Sequence, residues 1–182
     1  HLTTRRTSSG YTSSVVQTDD ANPFLQKYGY FETRMKVMKG EGLGSAFWLA
    51  AEHDWPPEID VLESPGRMGN GARRAWFSNH FTDASGGTAG DSGTWDVPDG
   101  QPDLSQGFHT YAVSWQPGVI VWYVDGTERY RVTRQVPDRA MFPILQSGIS
   151  TNADDAWTGG VNDSTPLPQE TTVDYVRVWQ HD

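Results

Sequence analysis

The segment Pro57-Glu58-Ile59-Asp60-Val61-Leu62-Glu63 sets three carboxylates among three aliphatic side chains. Alternation along a strand puts Glu58 and Asp60 on one face with Ile59 and Val61 on the other, and leaves Glu63 among the aliphatics. One extra residue in the strand, a β-bulge at Val61 or Leu62, returns Glu63 to the face of the other two acids. With that step absorbed, Glu58 and Glu63 act as residues four apart, about 13 Å between Cα atoms. On a concave sheet their side chains lean together until the carboxyls stand about 5–6 Å apart. Retaining glycosidases work at that spacing, one group as nucleophile and the other as acid/base. Three acids on one face repel one another, a cost without benefit on a plain surface. Trp48 and Trp55, just upstream in FWLAAEHDW, supply the aromatic surface that sugar sites need.

The elements that must carry these residues are strands. Long helical periodicity is absent, and short β-rich runs alternate with turn residues, which predicts an all-β fold. The pattern predicts strands over 12–18, 28–38, 44–51, 58–63, 74–81, 108–115, 119–124, 143–149 and 171–179. Asp125-Gly126 is a tight-turn pair that folds 119–124 back onto residues near 128–132. On 28–38, Phe31, Thr33, Met35 and Val37 form a core face, while Tyr30, Glu32, Arg34 and Lys36 face solvent or a cleft. The stretches 83–107, with Trp95, and 151–168, with Trp157, are rich in turn residues and read as long loops of the kind that bind. Strands in this number bury their faces against each other, so a sandwich or barrel is expected.

With 182 residues the chain is the size of one domain, 1–182. Net charge is −9, which disfavours nucleic acid and anionic membrane as partners and suits a neutral substrate. No apolar run approaches a membrane span. Cysteine is absent, which removes disulfides, thiolate metal sites and a cysteine nucleophile. The chain opens HLTTRRTSSG, with neither a signal peptide nor an initiator Met, and is expected to be a mature or trimmed segment.

PEIDVLE resembles the E-x-D-x-x-E signature of glycoside hydrolase family 16 in its bulged, laminarinase-like form. YTSSVVQT is similar to the family's YTSG-x-IQT strand, and YGYFETRMKVMKGEGLGSAFWL to its segment ending in AFWm. FHTYAVSW, VIVWYVDG and TVDYVRVWQ resemble further family segments in the right order, so the likeness covers nearly the whole chain. It implies a jelly-roll sandwich of two curved antiparallel sheets with a cleft across the concave face. It implies Glu58 as nucleophile, Glu63 as acid/base, and Asp60 hydrogen-bonded to Glu58. Charge on Glu58 then raises the pKa of Glu63, and loss of that charge in an ester lets Glu63 deprotonate water.

Further substrate contacts are expected from Glu32 and Arg34, matching the family's E-x-R, and from Trp48, which alternates with Phe47 and Leu49. Trp55 and Trp157 are expected as sugar platforms, since an exposed loop indole is costly unless something stacks on it. His80 is expected to contact Glu63 or a sugar, Gln146 to offer an amide, and Trp115 to suit cleft or core. Trp122 and Trp179 alternate with apolar neighbours and read as framework. The family has some forty residues before the YTSG strand where this chain has ten, so edge strands are expected to be missing. The likeness also implies a structural calcium near Asp174, although the remaining ligands lie in that missing region; no cofactor is required. The expected activity is that of a secreted, extracellular, monomeric retaining endo-β-glycanase acting on β-1,3- or mixed-linked β-1,3-1,4-glucan polysaccharide. The alternatives are a β-galactanase of the agarase or carrageenase type, which Arg67, Arg73 and Arg74 would favour, and a lectin-like sandwich.

Overall fold

The computed structural model describes residues 1–18 and 24–181. Its strands are β1 (Leu2–Thr7), β2 (Gly10–Thr12), β3 (Ser14–Gln17), β4 (Gly29–Lys36), β5 (Leu43–Ala51), β6 (Glu58–Pro65) and β7 (Arg74–Thr82). Then follow β8 (Thr88–Asp96), β9 (His109–Gln116), β10 (Val119–Val124), β11 (Thr127–Val132), β12 (Met141–Ile149) and β13 (Gln169–Trp179). One sheet has seven strands in the order β11-β10-β9-β4-β13-β1-β2, the other six in the order β3-β12-β5-β6-β7-β8. Every pairing is antiparallel. This is the jelly-roll sandwich that the strand pattern and the resemblance predict.

Period-two alternation sorts the two faces of each strand. On β4, Phe31, Thr33 and Met35 are wholly buried and Tyr30, Glu32, Arg34 and Lys36 are not. Phe31, Met35, Tyr111, Val113, Trp115 and Trp122 from the seven-stranded sheet meet Phe47, Leu49, Ile59, Val61, Leu62 and Phe77 from the other. Each such side chain contributes roughly 1.5–3 kcal/mol on burial, and together they press the two sheets into one core. Trp115 therefore belongs to the core and not to the cleft. Its Nε1–H donates to the Pro137 carbonyl at 2.9 Å, so even its polar edge is satisfied inside. At the β10–β11 turn Asp125 and Gly126 have φ of 50° and 71°, the left-handed pair of a tight hairpin.

Two expectations about elements fail. The first ten residues hold β1, which pairs with both β13 and β2, where no strand was expected before residue 12. The loop expected over 83–107 contains β8, which pairs with β7 from Arg74↔Asp96 to Thr82↔Thr88. Its glycines and polar residues gave no strand signal because it is an edge strand held by its partner. Gly93 is required there, since a Cβ at that position would collide with the Tyr130 ring.

Candidate active site

The middle of β6 carries the bulge, and the register identifies it. Against β5, Phe47 faces Leu62 and the next residue, Trp48, faces Asp60. Against β7, Asp60 faces Ser78 while Glu63 faces Trp76, three steps on one strand for two on the other. Val61 is the extra residue. Val61 and Leu62 both point into the core, fully buried, and Glu63 comes back to the face of Glu58. A bulge interrupts the ladder, so its buried backbone groups need other partners. Trp122 of β10 supplies one from the opposite sheet, its Nε1–H donating to the Asp60 carbonyl at 2.8 Å.

The three carboxyls open into a cleft on the outer face of the six-stranded sheet, lined also by Trp48 and Ala46 of β5, Gln146 of β12 and Trp157. His80 of β7, opposite Glu58, brings Nε2 to 3.0 Å from Asp60 Oδ2 and 3.7 Å from Glu58 Oε1. Its contact is thus with Asp60 first. That bond, ahead of the surrounding negative charge, raises the His80 pKa against the opposing effect of burial. Glu58, Asp60 and His80 bring ligand-type atoms within 4.8 Å of one another, but the Asp60–His80 hydrogen bond already occupies two of them.

Burial, then the charge of Asp60, pushes Glu58 up to about 7, while His80 and a hydrogen bond from Trp55 pull it down. Glu63 is pushed further, to about 8, by burial first, Asp60 second and Glu58 third. The charge of Glu58, which the sequence reading named as raising the Glu63 pKa, does so but ranks behind burial and Asp60. Glu63, the more deeply buried of the two and beside two carboxylates, is the one favoured to keep its proton.

Trp55 does more than offer a platform. It is 58% exposed, and its Nε1–H donates to Glu58 Oε2 at 3.0 Å, so this indole steadies the ionised carboxylate. Trp55→Phe keeps an aromatic face and removes the donor. The Glu58 pKa should rise, and the acidic limb of the kcat/KM profile should move to higher pH by roughly half a unit to one unit. A limb that stays in place returns Trp55 to simple stacking.

Trp157 reaches the cleft on a firmly tied loop. Asp155 accepts the Trp157 backbone N–H at 2.8 Å, Met68 N–H donates to the Trp157 carbonyl at 3.0 Å, and Gly42 N–H donates to Thr158 at 2.7 Å. Arg67 bridges Glu41 and the carbonyls of Ala153 and Asp155, with Nη1 donating to the latter at 2.8 Å. The Trp157 indole favours the ionised form of Glu63 and stands edge-on to Trp76, centroids 4.9 Å apart. Sequence reading missed Trp76, although it alternates with Ser78 and His80 on β7 and so faces the cleft with them.

Glu32 and Arg34 are not in the cleft. Their strand, β4, lies in the seven-stranded sheet, and their face is the outer one on the far side of the molecule. Alternation separates core from surface but does not say which sheet the surface belongs to. There Glu32 accepts the Tyr175 hydroxyl at 2.7 Å, and Arg34 donates to Asp174 at 2.7 Å. Asp174 sits at a register shift of β13 with its carboxylate committed to that guanidinium. A cation there would meet Arg34, and among the described residues no group of three or more acidic or histidine side chains includes Asp174.

Comparison with known proteins agrees with this geometry. A beta-glucanase of Paenibacillus macerans is 32% identical over 169 residues, covering 88% of this chain and 66% of its own length. Endo-1,3-1,4-beta-glycanase ExsH of Rhizobium meliloti is 31% identical, over 94% of this chain and 34% of its own length. The chain thus spans only part of these relatives. The laminarinase catalytic domain from Thermotoga maritima superimposes with a TM-score of 0.82 at 27% identity, covering 100% of this chain and 77% of that one. The endo-beta-1,3-glucanase from Pyrococcus furiosus does so at 0.81 and 30% identity, covering 98% and 73%. Residues 1–177 match the description of glycosyl hydrolases family 16. A jelly roll whose bulged strand turns three carboxyls into one cleft, matched along nearly its whole length, belongs to glycosyl hydrolases family 16.

Proposed function

We propose that this chain is a retaining endo-β-glucanase domain that cuts β-1,3- or mixed-linked β-1,3-1,4-glucan. The observation that carries the reading is the pair Glu58 and Glu63, gathered onto one face by the Val61 bulge and both held up by burial. Glu58 attacks the anomeric carbon and forms a glycosyl ester as Glu63 gives its proton to the departing oxygen. Esterification removes the Glu58 charge, one of the causes holding the Glu63 pKa up. Glu63 then takes a proton from water as the water oxygen bonds to the anomeric carbon and the ester bond breaks, freeing Glu58 as carboxylate. Asp60, held by His80, sits beside Glu58 throughout.

This double displacement balances with carboxyl groups and water alone, so the proposal calls for no cofactor. The three carboxyls of the cleft all come from one chain, which suits a monomer, and the polymer it would take is met outside the cell. Its relatives' names support the glucan linkages, and the −9 net charge suits a neutral polysaccharide better than nucleic acid or an anionic membrane. The three arginines that would favour a sulfated galactan are committed elsewhere. Arg67 holds the Trp157 loop, Arg73 donates to the carbonyls of Val97, Pro98 and Gln101, and Arg74 pairs with Asp96. A lectin would gain nothing from carboxyls held so far above their ordinary range.

The first-formed product settles the stereochemistry. NMR of early digestion should show the β anomer before mutarotation, the result of two inversions at one carbon. An α anomer appearing first would remove Glu58 from the nucleophile role.

A further inference from the structure

The outer face of the seven-stranded sheet carries a second aromatic surface, opposite the cleft. Trp179, expected as framework, is 44% exposed at the end of β13. It pairs across the ladder with Tyr30 of β4, and their ring centroids stand 5.7 Å apart. Tyr30 in turn meets Tyr123 of β10 at 6.0 Å, across the intervening β9. That reach is possible because β9 places the small side chains Ser114 and Ala112 opposite Tyr30 and Tyr123 respectively. The three rings therefore form a ridge that crosses four strands.

Polar groups flank the ridge in a pattern that water alone does not need. Glu32 lies between two aromatic residues, accepting the Tyr175 hydroxyl at 2.7 Å and facing that of Tyr30 at 3.5 Å. Arg177 stacks over the Tyr175 ring at 4.0 Å and has no carboxylate partner among the described residues. A held acceptor and an unpaired planar donor thus stand beside an apolar ridge. A pyranose has the complementary surface, with apolar faces of C–H groups and a rim of hydroxyls that both donate and accept. The ring planes are inclined to one another by 57° and 49°, so the ridge is stepped. A stepped ridge fits a twisted single glucan chain better than the flat face of a crystalline polymer.

We infer that Trp179, Tyr30 and Tyr123, with Glu32 and Arg177, form a second, non-catalytic binding surface for a β-glucan chain. The inference rests on the glucanase reading for the identity of the sugar, but uses none of the cleft residues. Its role is to hold polymer against the domain while the opposite face cuts.

The test is electrophoresis through native gels containing laminarin, with Glu58→Gln in every protein so that the polymer survives. Trp179→Ala and, independently, Tyr123→Ala should each lower the apparent affinity by about tenfold, the loss of one stacked ring. With Glu58 intact, Trp179→Ala should cut laminaritetraose at the parent rate and insoluble β-1,3-glucan several-fold more slowly. Parent-like retardation and parent-like attack on insoluble glucan in both variants overturn the surface and leave the glucanase standing. Retardation that depends on Trp179, without hydrolysis of any glucan, supports the surface and removes the glucanase reading. Neither retardation nor hydrolysis removes both.

Discussion

Glu58→Ala should lower turnover of laminarin or lichenan by about 10⁴-fold or more, because the covalent step loses its nucleophile while Asp60 is held by His80 and Glu63 serves as the acid. Added azide should restore turnover by entering the space of the lost carboxylate. One inversion then gives an α-glycosyl azide, identifiable by NMR. The same variant should fold at least as stably as the parent, which separates lost chemistry from lost structure. Glu58 and Glu63 are held up to about 7 and about 8, against an ordinary 4.5. A raised pKa means that the folded state keeps a proton the unfolded chain would release. Their contribution is complete below about pH 4.5 and is lost as pH rises through about 7 to 8. Removing Glu58 removes its share of that loss, so the melting-temperature advantage of Glu58→Ala should grow from pH 5 to pH 8. Near-normal hydrolysis by this variant would refute the assignment outright. A melting-temperature advantage that shrinks with pH would show that the acids are not destabilised by their neighbours.

Deleting Val61 and inserting an alanine after it should have opposite outcomes. Val61 is the residue without a counterpart on β5, so its deletion leaves Glu58, Asp60 and the former Glu63 alternating on a regular strand. That variant should fold and retain measurable hydrolysis, at a stability cost of about 1–3 kcal/mol for one buried aliphatic side chain. The insertion shifts the strand by one step, which exchanges its faces beyond the bulge and drives Glu63 toward the core. It should lose all detectable hydrolysis or lose the fold, since an unpaired buried carboxylate costs several kcal/mol. Circular dichroism and a reducing-end assay on one substrate distinguish the cases. A folded, fully active insertion variant would mean that Glu63 never needed the face of Glu58.

The acid triad was legible in the sequence because it depends on local physics. Strand period is two, three acids crowd one short segment, and a single extra residue is the smallest change that puts them together. The same locality revealed the core face of β4 and the Asp125-Gly126 hairpin, each set by backbone geometry within a few residues. Its limit was one of two candidates, Val61 or Leu62, and only the pairing of β6 with β5 on one side and β7 on the other selects Val61.

Tertiary structure decided everything that depends on which sheet a strand joins. Glu32 and Arg34 have the alternation of cleft residues, yet β4 lies between β9 and β13, so the same outward face looks away from the acids. Trp115 and Trp179 sit in similar apolar strands, and one is wholly buried while the other is 44% exposed, because only the first faces the opposing sheet. β8 has almost no strand signal, since its order comes from β7 beside it and the Tyr130 ring packed against Gly93. Trp55 could be read as an exposed loop indole, but its hydrogen bond to Glu58 exists only once that loop is folded over the end of β6. Side-chain period is written in neighbouring residues; which strands lie side by side is set by contacts more than a hundred residues apart in the chain, as between Glu32 of β4 and Tyr175 of β13.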